Sequence, residues 1–478
     1  MQIGRPFSGF VLALLACAWQ AGGDDGIGPR EPALPGLSEP ALIAPQTQPP
    51  EVLPAPPASD RPTPSQLEAE PGDQPKRDSR SLQPQAPTPG GLTLADLEAI
   101  ASESNPTLVQ AAMAVRAARG RTVQAGLYPN PELNYIGDEI GNDGTQGLQG
   151  AGFTQEIVTA HKRQLNQATA GYEVEQARYV WEAQRMRVIN DVRIGYYLVL
   201  LAQKTVEIST QLVRIGDEGL QTTEKLRTAK AVSLTDVLQA RIEAQTAHLN
   251  LNQAQNRHRA AWRQLAAVLG CPEMEPEPLA GAVDADLPDL NWDDSLQYLL
   301  THSPELAGAL AGVERARSNV ALQCAGRRPN IGVAAAAKYD TGSYNTVADL
   351  ALVVPLPLFD RNQGNILAAQ SELIAAENEV DRVGLDLRNR LAVAFEQYAN
   401  ARRQVETYLA GILPDARQSL DLINAGYRAG EFDYLAVLTA QRTYFSVNLD
   451  YLQSLQQLRA SAVEIEGMLL RDSLTAGQ

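Results

Sequence analysis

The most constraining feature of the sequence is an internal duplication, in which one pattern occurs twice at a separation of about 200 residues. The first copy passes from residues 104–106 (Ser-Asn-Pro) into a helix-favouring segment that ends at residues 128–130 (Tyr-Pro-Asn). The second passes from residues 302–304 (His-Ser-Pro) into a similar segment that ends at residues 328–330 (Arg-Pro-Asn). Because proline lacks a backbone N–H, each Pro-Asn pair predicts a helix end at the same point of the pattern.

After each Pro-Asn pair the apolar residues alternate with a period of two, which is typical of strands. In the second copy they are Ile331, Val333, Ala335, Ala337 and Tyr339, and then Ala348, Leu350, Leu352, Val354 and Leu356. The first copy has a weaker counterpart in Leu133, Tyr135, Ala151, Phe153 and Ile157. Each copy therefore predicts one hairpin with strands of about nine or ten residues, the length of a tilted membrane strand. Two hairpins cannot close a barrel, and a bilayer tolerates no open sheet edge, so membrane strands of this chain would need other chains beside them.

A long helical stretch follows each hairpin, rich in Ala, Gln, Glu, Leu and Arg, which favour helix. The sequence predicts one from Lys162 to Gly216 and another from Gly364 to Asn424, interrupted only at Pro414. A helix of about sixty residues is about 90 Å long at about 1.5 Å per residue. Each stretch returns after a short break, which indicates antiparallel, coiled-coil-like pairs.

The two breaks, residues 226–238 and 427–438, match each other. We expect Gly426 and Gly430 to end a helix through left-handed dihedral angles. Ser233 and Asp433 are candidates to cap the helices that follow.

The N-terminal region indicates export. Residues 1–17 read as a signal peptide, because residues 10–16 are apolar but too few to span a membrane. Cys17 follows a small residue, as in a bacterial lipobox, and is the candidate for lipidation, while ordinary cleavage after Ala18 is the alternative. Residues 18–91 are rich in proline without apolar periodicity and predict a disordered tether. The net charge of −16 argues against a nucleic-acid partner.

These features together resemble a TolC-type outer-membrane efflux protein over residues 92–474, with one repeat at 92–290 and the other at 291–474. Residues 354–364 (Val-Pro-Leu-Pro-Leu-Phe-Asp-Arg-Asn-Gln-Gly) are the most specific part. They are similar to the heavy-metal efflux branch of CzcC- and CusC-like proteins. Residues 159–163 depart from that branch, which has a glycine pair before Lys-Arg.

The resemblance implies a mainly α fold with a small β part. Long antiparallel helical hairpins would form a periplasmic α-barrel, and the two β-hairpins would give four strands to a trimeric transmembrane β-barrel. It implies a passive duct in the outer membrane for metal ions or small toxic molecules, with a periplasmic adaptor and an inner-membrane pump, the RND type being favoured. No enzymatic activity and no cofactor are expected. The alternatives are the exit duct of type I protein secretion and a structural periplasmic coiled-coil protein.

The resemblance also implies roles for residues at the helix tips. Asp236 and Tyr427, beside Gly426 and Gly430, occupy positions that join links closing the periplasmic entrance. The equally weighted interpretation is that Asp236 is a first-turn helix residue favoured by the helix dipole and that Tyr427 packs.

Four apolar residues repeat between the two tips: Leu234, Val237, Leu435 and Leu438. They are candidates for contact with adaptor hairpins, and intramolecular helix packing is the alternative.

A resident metal site is not expected from the sequence. The histidines, His161, His248, His258 and His302, have spacings that form no ligand cluster, and no Cys-x-x-Cys motif occurs. Cys271 and Cys324 fall at opposite ends of a helical segment, so no disulfide between them is expected.

Overall fold

The computed structural model describes residues 91–144 and 146–475. The expected signal peptide, lipidated Cys17 and proline-rich tether therefore lie outside the described residues, apart from the last tether residue.

The two repeats have the same order of elements. The first contains α1 (Leu94–Ser104), α2 (Pro106–Ala125), β1 (Glu132–Asp138), β2 (Leu148–Ile157), α3 (Lys162–Thr228) and α4 (Leu234–Leu269). The second contains α5 (Trp292–His302), α6 (Pro304–Gly326), β3 (Ile331–Asp340), β4 (Asn345–Val353), α7 (Gln363–Thr407), α8 (Leu413–Ala429) and α9 (Tyr434–Glu466). A single π-helical turn, Tyr408–Ile412, joins α7 to α8.

The long helices extend further than the sequence predicts. The expected end at Gly216 is wrong, because α3 continues to Thr228. Gly216 is buried, and a Cβ added there would lie 3.3 Å from the Cα of Ala244, so this glycine permits close packing of α3 on α4. The expected end at Asn424 is also wrong, since α8 continues to Ala429.

The interruption expected at Pro414 takes the form of the π-helical turn just before it. Pro414 lies in the first turn of α8, where its missing N–H needs no helical partner. The N–H of Leu413 donates to the carbonyl of Tyr408, five residues back, so the chain stays helical through a wider turn.

The four strands form one antiparallel sheet in the order β1-β2-β3-β4. Its register places Leu133 opposite Phe153, Phe153 opposite Ala335 and Ala335 opposite Leu350. β4 ends at Val353, so the expected extension to Leu356 is wrong. Prolines at positions 355 and 357 lack the N–H donors that a longer strand would need.

Two apolar clusters lie where helices of the repeats meet the connecting segment 271–291. One surrounds Trp262 of α4, whose Nε1 donates to the carbonyl of Met274 at 3.0 Å. The other surrounds Tyr398 of α7, whose hydroxyl donates to the Pro288 carbonyl at 2.7 Å and accepts from the Leu290 N–H at 2.9 Å. These bonds fix the segment against the helices. Among the described residues, no helix combines the length and the apolar composition that a membrane-spanning helix needs.

Candidate functional site at the helix tips

Both helical hairpins end in the same kind of turn. Lys230 and Gly430 have left-handed backbones, with φ of 60° and 79°. In the first turn the N–H of Ala231 donates to the carbonyl of Leu226, five residues back, at 2.9 Å. In the second turn the N–H of Glu431 donates to the carbonyl of Gly426, also five residues back, at 2.8 Å. These bonds satisfy the last carbonyls of α3 and α8, as in a Schellman motif.

The expectation for Gly430 agrees with the structure, whereas that for Gly426 is wrong. Gly426 lies inside α8, and its φ is not among the positive values. A Cβ added there would lie 2.6 Å from the Cε2 atom of Phe432, so Gly426 leaves room for that ring. Residue size, rather than backbone conformation, therefore explains the glycine at this position.

We expect Gly430→Ala to destabilise the second tip by about 1–2 kcal/mol, because an L side chain is strained in the left-handed region. Nothing lies within 4 Å of a Cβ at Gly430, so the change in the free energy of unfolding comes from backbone strain and not from a steric clash. Gly384→Ala is the matched control. It lies within α7 with open space around it, and should stabilise the helix by about 0.5–1 kcal/mol. Thermal unfolding followed by circular dichroism measures both; equal shifts for the two variants would contradict the assignment.

Ser233 and Asp433 cap the helices after the turns. Asp433 accepts a hydrogen bond from the N–H of Ala436 at 2.9 Å. Ser233 and Asp236 form a reciprocal capping box, in which the Asp236 carboxylate accepts from both the N–H and the Oγ of Ser233 at 2.8 Å. Asp236 thus has a local structural role.

A small apolar cluster joins all four tip helices, and we call it the tip cluster. Its buried members are Ala240 of α4 with Tyr434, Val437 and Leu438 of α9, and its partly buried members are Leu220 of α3 with Ile423 and Tyr427 of α8. The cluster therefore fixes the first hairpin, α3 and α4, against the second, α8 and α9.

Two tyrosines lie in the tip cluster with their rings 5.9 Å apart, centre to centre. Burial raises the pKa of Tyr434 to about 12, and it also raises the pKa of Tyr427, with the nearby Thr223 hydroxyl opposing both shifts. The charge of Asp236 adds to the rise in the pKa of Tyr427, so the structure places these two sequence candidates near each other. The Tyr427 hydroxyl is buried without a well-formed hydrogen bond.

An ion pair connects the two hairpins beside this cluster. Arg442 of α9 donates from Nη2 and Nε to Oε2 of Glu243 in α4, at 2.7 and 3.1 Å. The Glu243 side chain is 11% exposed and that of Arg442 is 65% exposed. Sequence reasoning missed both residues, because their 199-residue separation gives no local signal.

The four apolar tip residues divide by exposure. Leu234 and Leu435 are each 58% exposed, whereas Val237 and Leu438 are buried. Leu234 and Leu435 are therefore accessible to a partner, while Val237 and Leu438 pack within the chain.

The histidines take separate roles. Nε2 of His248 lies 3.2 Å from Oδ1 of Asp217, and the ring of His302 stacks on that of Tyr298. Burial lowers the pKa of His258. Within the described residues, no group of three or more His, Cys, Asp or Glu side chains is placed to hold a metal ion. Cys271 and Cys324 are both unpaired.

A second candidate surface is the sheet, whose two faces differ in charge. The strands contain six charged residues, and the register places all of them on one face: Glu132, Asp138, Glu156, Lys338, Asp340 and Asp349. The other face carries no charge and has most of the exposed large apolar side chains of the strands, among them Leu133, Tyr135, Phe153, Tyr339, Leu350 and Leu352, while Val347 and Val353 are exposed on the charged face. One face thus suits hydrocarbon and the other suits water.

Known proteins are similar to this chain in sequence and in fold. The family described as Outer membrane efflux protein matches residues 99–271 and 295–469. The chain belongs to this family. A family relative, the cobalt-zinc-cadmium resistance protein CzcC of Cupriavidus metallidurans, is 30% identical over 386 residues, which make up 80% of this chain and 91% of CzcC. The resemblance to the TolC-type family and its heavy-metal branch is confirmed.

Solved structures of membrane channels have a similar fold. The outer-membrane channel OprN is 19% identical with a TM-score of 0.66, covering 80% of this chain and 90% of OprN. CusC is 18% identical with a TM-score of 0.63, covering 79% of this chain and 92% of CusC. The expected mainly α fold with a small four-stranded β part is confirmed.

Proposed function

We propose that this chain is the outer-membrane channel subunit of a tripartite efflux system, in which it forms a passive duct and catalyses no reaction. The observation that carries the proposal is the division of the sheet into an uncharged face, which has most of the exposed large apolar side chains, and a face with every strand charge. A water-filled barrel requires this alternation, with apolar side chains toward lipid and polar ones toward the lumen. In a soluble periplasmic coiled coil, apolar side chains such as Leu133 and Leu350, each 82% exposed, would be left in contact with water.

The edges of the sheet support assembly from several copies. In the described chain β1 and β4 each pair on one side only. An open edge is not stable in hydrocarbon, and single barrels need about eight or more strands. The homotrimer implied by the family resemblance would supply twelve strands and pair every edge.

The helix tips are the proposed meeting point with the periplasmic adaptor, through the exposed Leu234 and Leu435. An RND-type pump in the inner membrane would supply the energy. Lipidation of Cys17 would anchor the chain in outer-membrane lipid, with the tether leading to the first helix.

Metal ions are the proposed cargo, because the relative CzcC is named for cobalt, zinc and cadmium resistance. We expect a deletion strain to become sensitive to these three metals and to regain resistance when the gene is restored. Sensitivity to drugs alone, or loss of a secreted protein instead, would contradict metal efflux.

We also propose that the tips close the channel at rest, with Asp236 and Tyr427 contributing. Asp236→Ala combined with Tyr427→Phe should then raise single-channel conductance in planar bilayers. Asp96→Ala is the matched control, because Asp96 forms the same capping box with Thr93 at the start of α1. If Asp236 only caps its helix, each aspartate variant loses about 1 kcal/mol of stability and conductance stays unchanged.

A further inference from the structure

Lys338 is the single cation among the charged residues of the four strands, and its position is unusual. Its Nζ lies 2.7 Å from Oδ2 of Asp138 in β1 and 2.5 Å from Oδ2 of Asp349 in β4. The lysine side chain is 14% exposed, whereas the two aspartates are 49% and 48% exposed. One lysine on β3 therefore joins both edge strands of the sheet.

The sequence of β2 makes this arrangement possible. Gly150 pairs with Lys338 on one side and with Ile136 of β1 on the other. A Cβ at Gly150 would lie 2.7 Å from the Cα of Lys338. Because no side chain rises from β2 at this point, the lysine extends across that strand to reach Asp138.

The remaining aspartate at this end of the charged face is engaged elsewhere. Asp340 accepts hydrogen bonds from the N–H of Gly342 at 2.8 Å and the Oγ of Ser343 at 2.6 Å, within its own turn. Lys338 is therefore paired with Asp138 and Asp349 and not with Asp340, and we call these three residues the charge triad. It has two negative charges and one positive charge.

We propose that the charge triad is an ion-selectivity element of the duct, in which Lys338 limits the attraction of the lumen for cations. This inference rests on the proposed function, since it requires the charged face to line the duct. Lys338 pairs with both carboxylates, so the charge triad carries one net negative charge in each chain. Asp340 adds a further negative charge beside it, which none of the variants below changes. Such a ring favours divalent metal cations over anions but holds them weakly enough to release them.

The test is the reversal potential of the purified channel in planar bilayers under a potassium chloride gradient. Lys338→Gln removes one positive charge per chain and should raise the ratio of potassium to chloride permeability by about twofold, after screening by salt. Lys338→Arg keeps the charge and should leave the ratio near that of the unaltered protein. Asp349→Asn should lower it.

The double variant Lys338→Gln with Asp138→Asn separates charge from structural support. It removes the link across the sheet but restores one net negative charge, so its permeability ratio should return toward that of the unaltered protein. If it matches Lys338→Gln instead, or if Lys338→Gln and Asp349→Asn both leave the ratio unchanged, the inference is overturned. If Lys338→Gln does not assemble, Asp349→Asn still decides the question. Absence of any channel from the unaltered protein would refute the proposed function itself.

Discussion

Leu350→Arg is expected to abolish recovery of the assembled channel from the outer membrane. Leu350 is central in β4, 82% exposed, and opposite Ala335 on the uncharged face. If that face meets lipid, an arginine near the bilayer midplane costs about 2–4 kcal/mol in every chain, and the costs of all chains in one assembly add together. The measurement is the amount of heat-modifiable oligomer in outer-membrane fractions, judged by gel mobility with and without boiling.

Ala351→Arg is the matched control for this prediction. Ala351 is the next residue of β4, is also exposed, and pairs with Ala334 on the charged face. An arginine there would point into the duct, so assembly should be retained. Equal loss in both variants, or in neither, would contradict the assignment of the two faces.

Arg442→Ala is expected to loosen the contact between the two tip hairpins and to favour the open channel. It leaves the nearly buried Glu243 carboxylate without its partner. The hydrogen bonds that Arg442 donates to this carboxylate also hold the pKa of the guanidinium above its usual range. Charge-assisted bonds contribute about 1.5–3 kcal/mol when buried, and the exposure of Arg442 reduces this to about 1–2 kcal/mol. Spin labels at positions 234 and 435 would report the separation of the hairpins, and planar bilayers would report the open fraction.

A second arginine provides the comparison for the tip variant. Arg382 pairs with Glu379 three residues earlier on α7, and both side chains are exposed. Arg382→Ala should change stability by no more than about 0.5 kcal/mol and leave the tip distance unchanged. An Arg442 variant that behaves like the Arg382 variant would show that the tip cluster alone holds the hairpins together.

Local rules predicted the elements whose ends depend on nearby residues. The Pro-Asn pairs, the alternation after Ile331 and the caps at Ser233 and Asp433 each act within a few residues, and the structure contains the helix ends, strands and caps they indicate. Because the pattern occurs twice, the clear hairpin of the second copy also supported the prediction of the weaker hairpin in the first copy.

The errors over glycine arose where the residue acts through side-chain packing rather than through its own backbone conformation. A local rule predicts a helix end at Gly216, but this glycine instead packs against Ala244 of another helix. Gly426 accommodates Phe432, and Lys230 adopts the left-handed backbone that the rule reserves for glycine. The Glu243–Arg442 pair and the Lys338–Asp138 contact of the charge triad join residues about 200 positions apart, so only the assembled fold reveals them.

On the proposed function, this chain becomes a membrane channel only when several copies complete one barrel. The decisive measurement is native mass spectrometry of the protein extracted in detergent from purified outer membranes. We expect a complex of three chains, each of about 51.6 kDa before processing of the N-terminus. Recovery of single chains from the soluble periplasm, with none in the outer membrane, would contradict it.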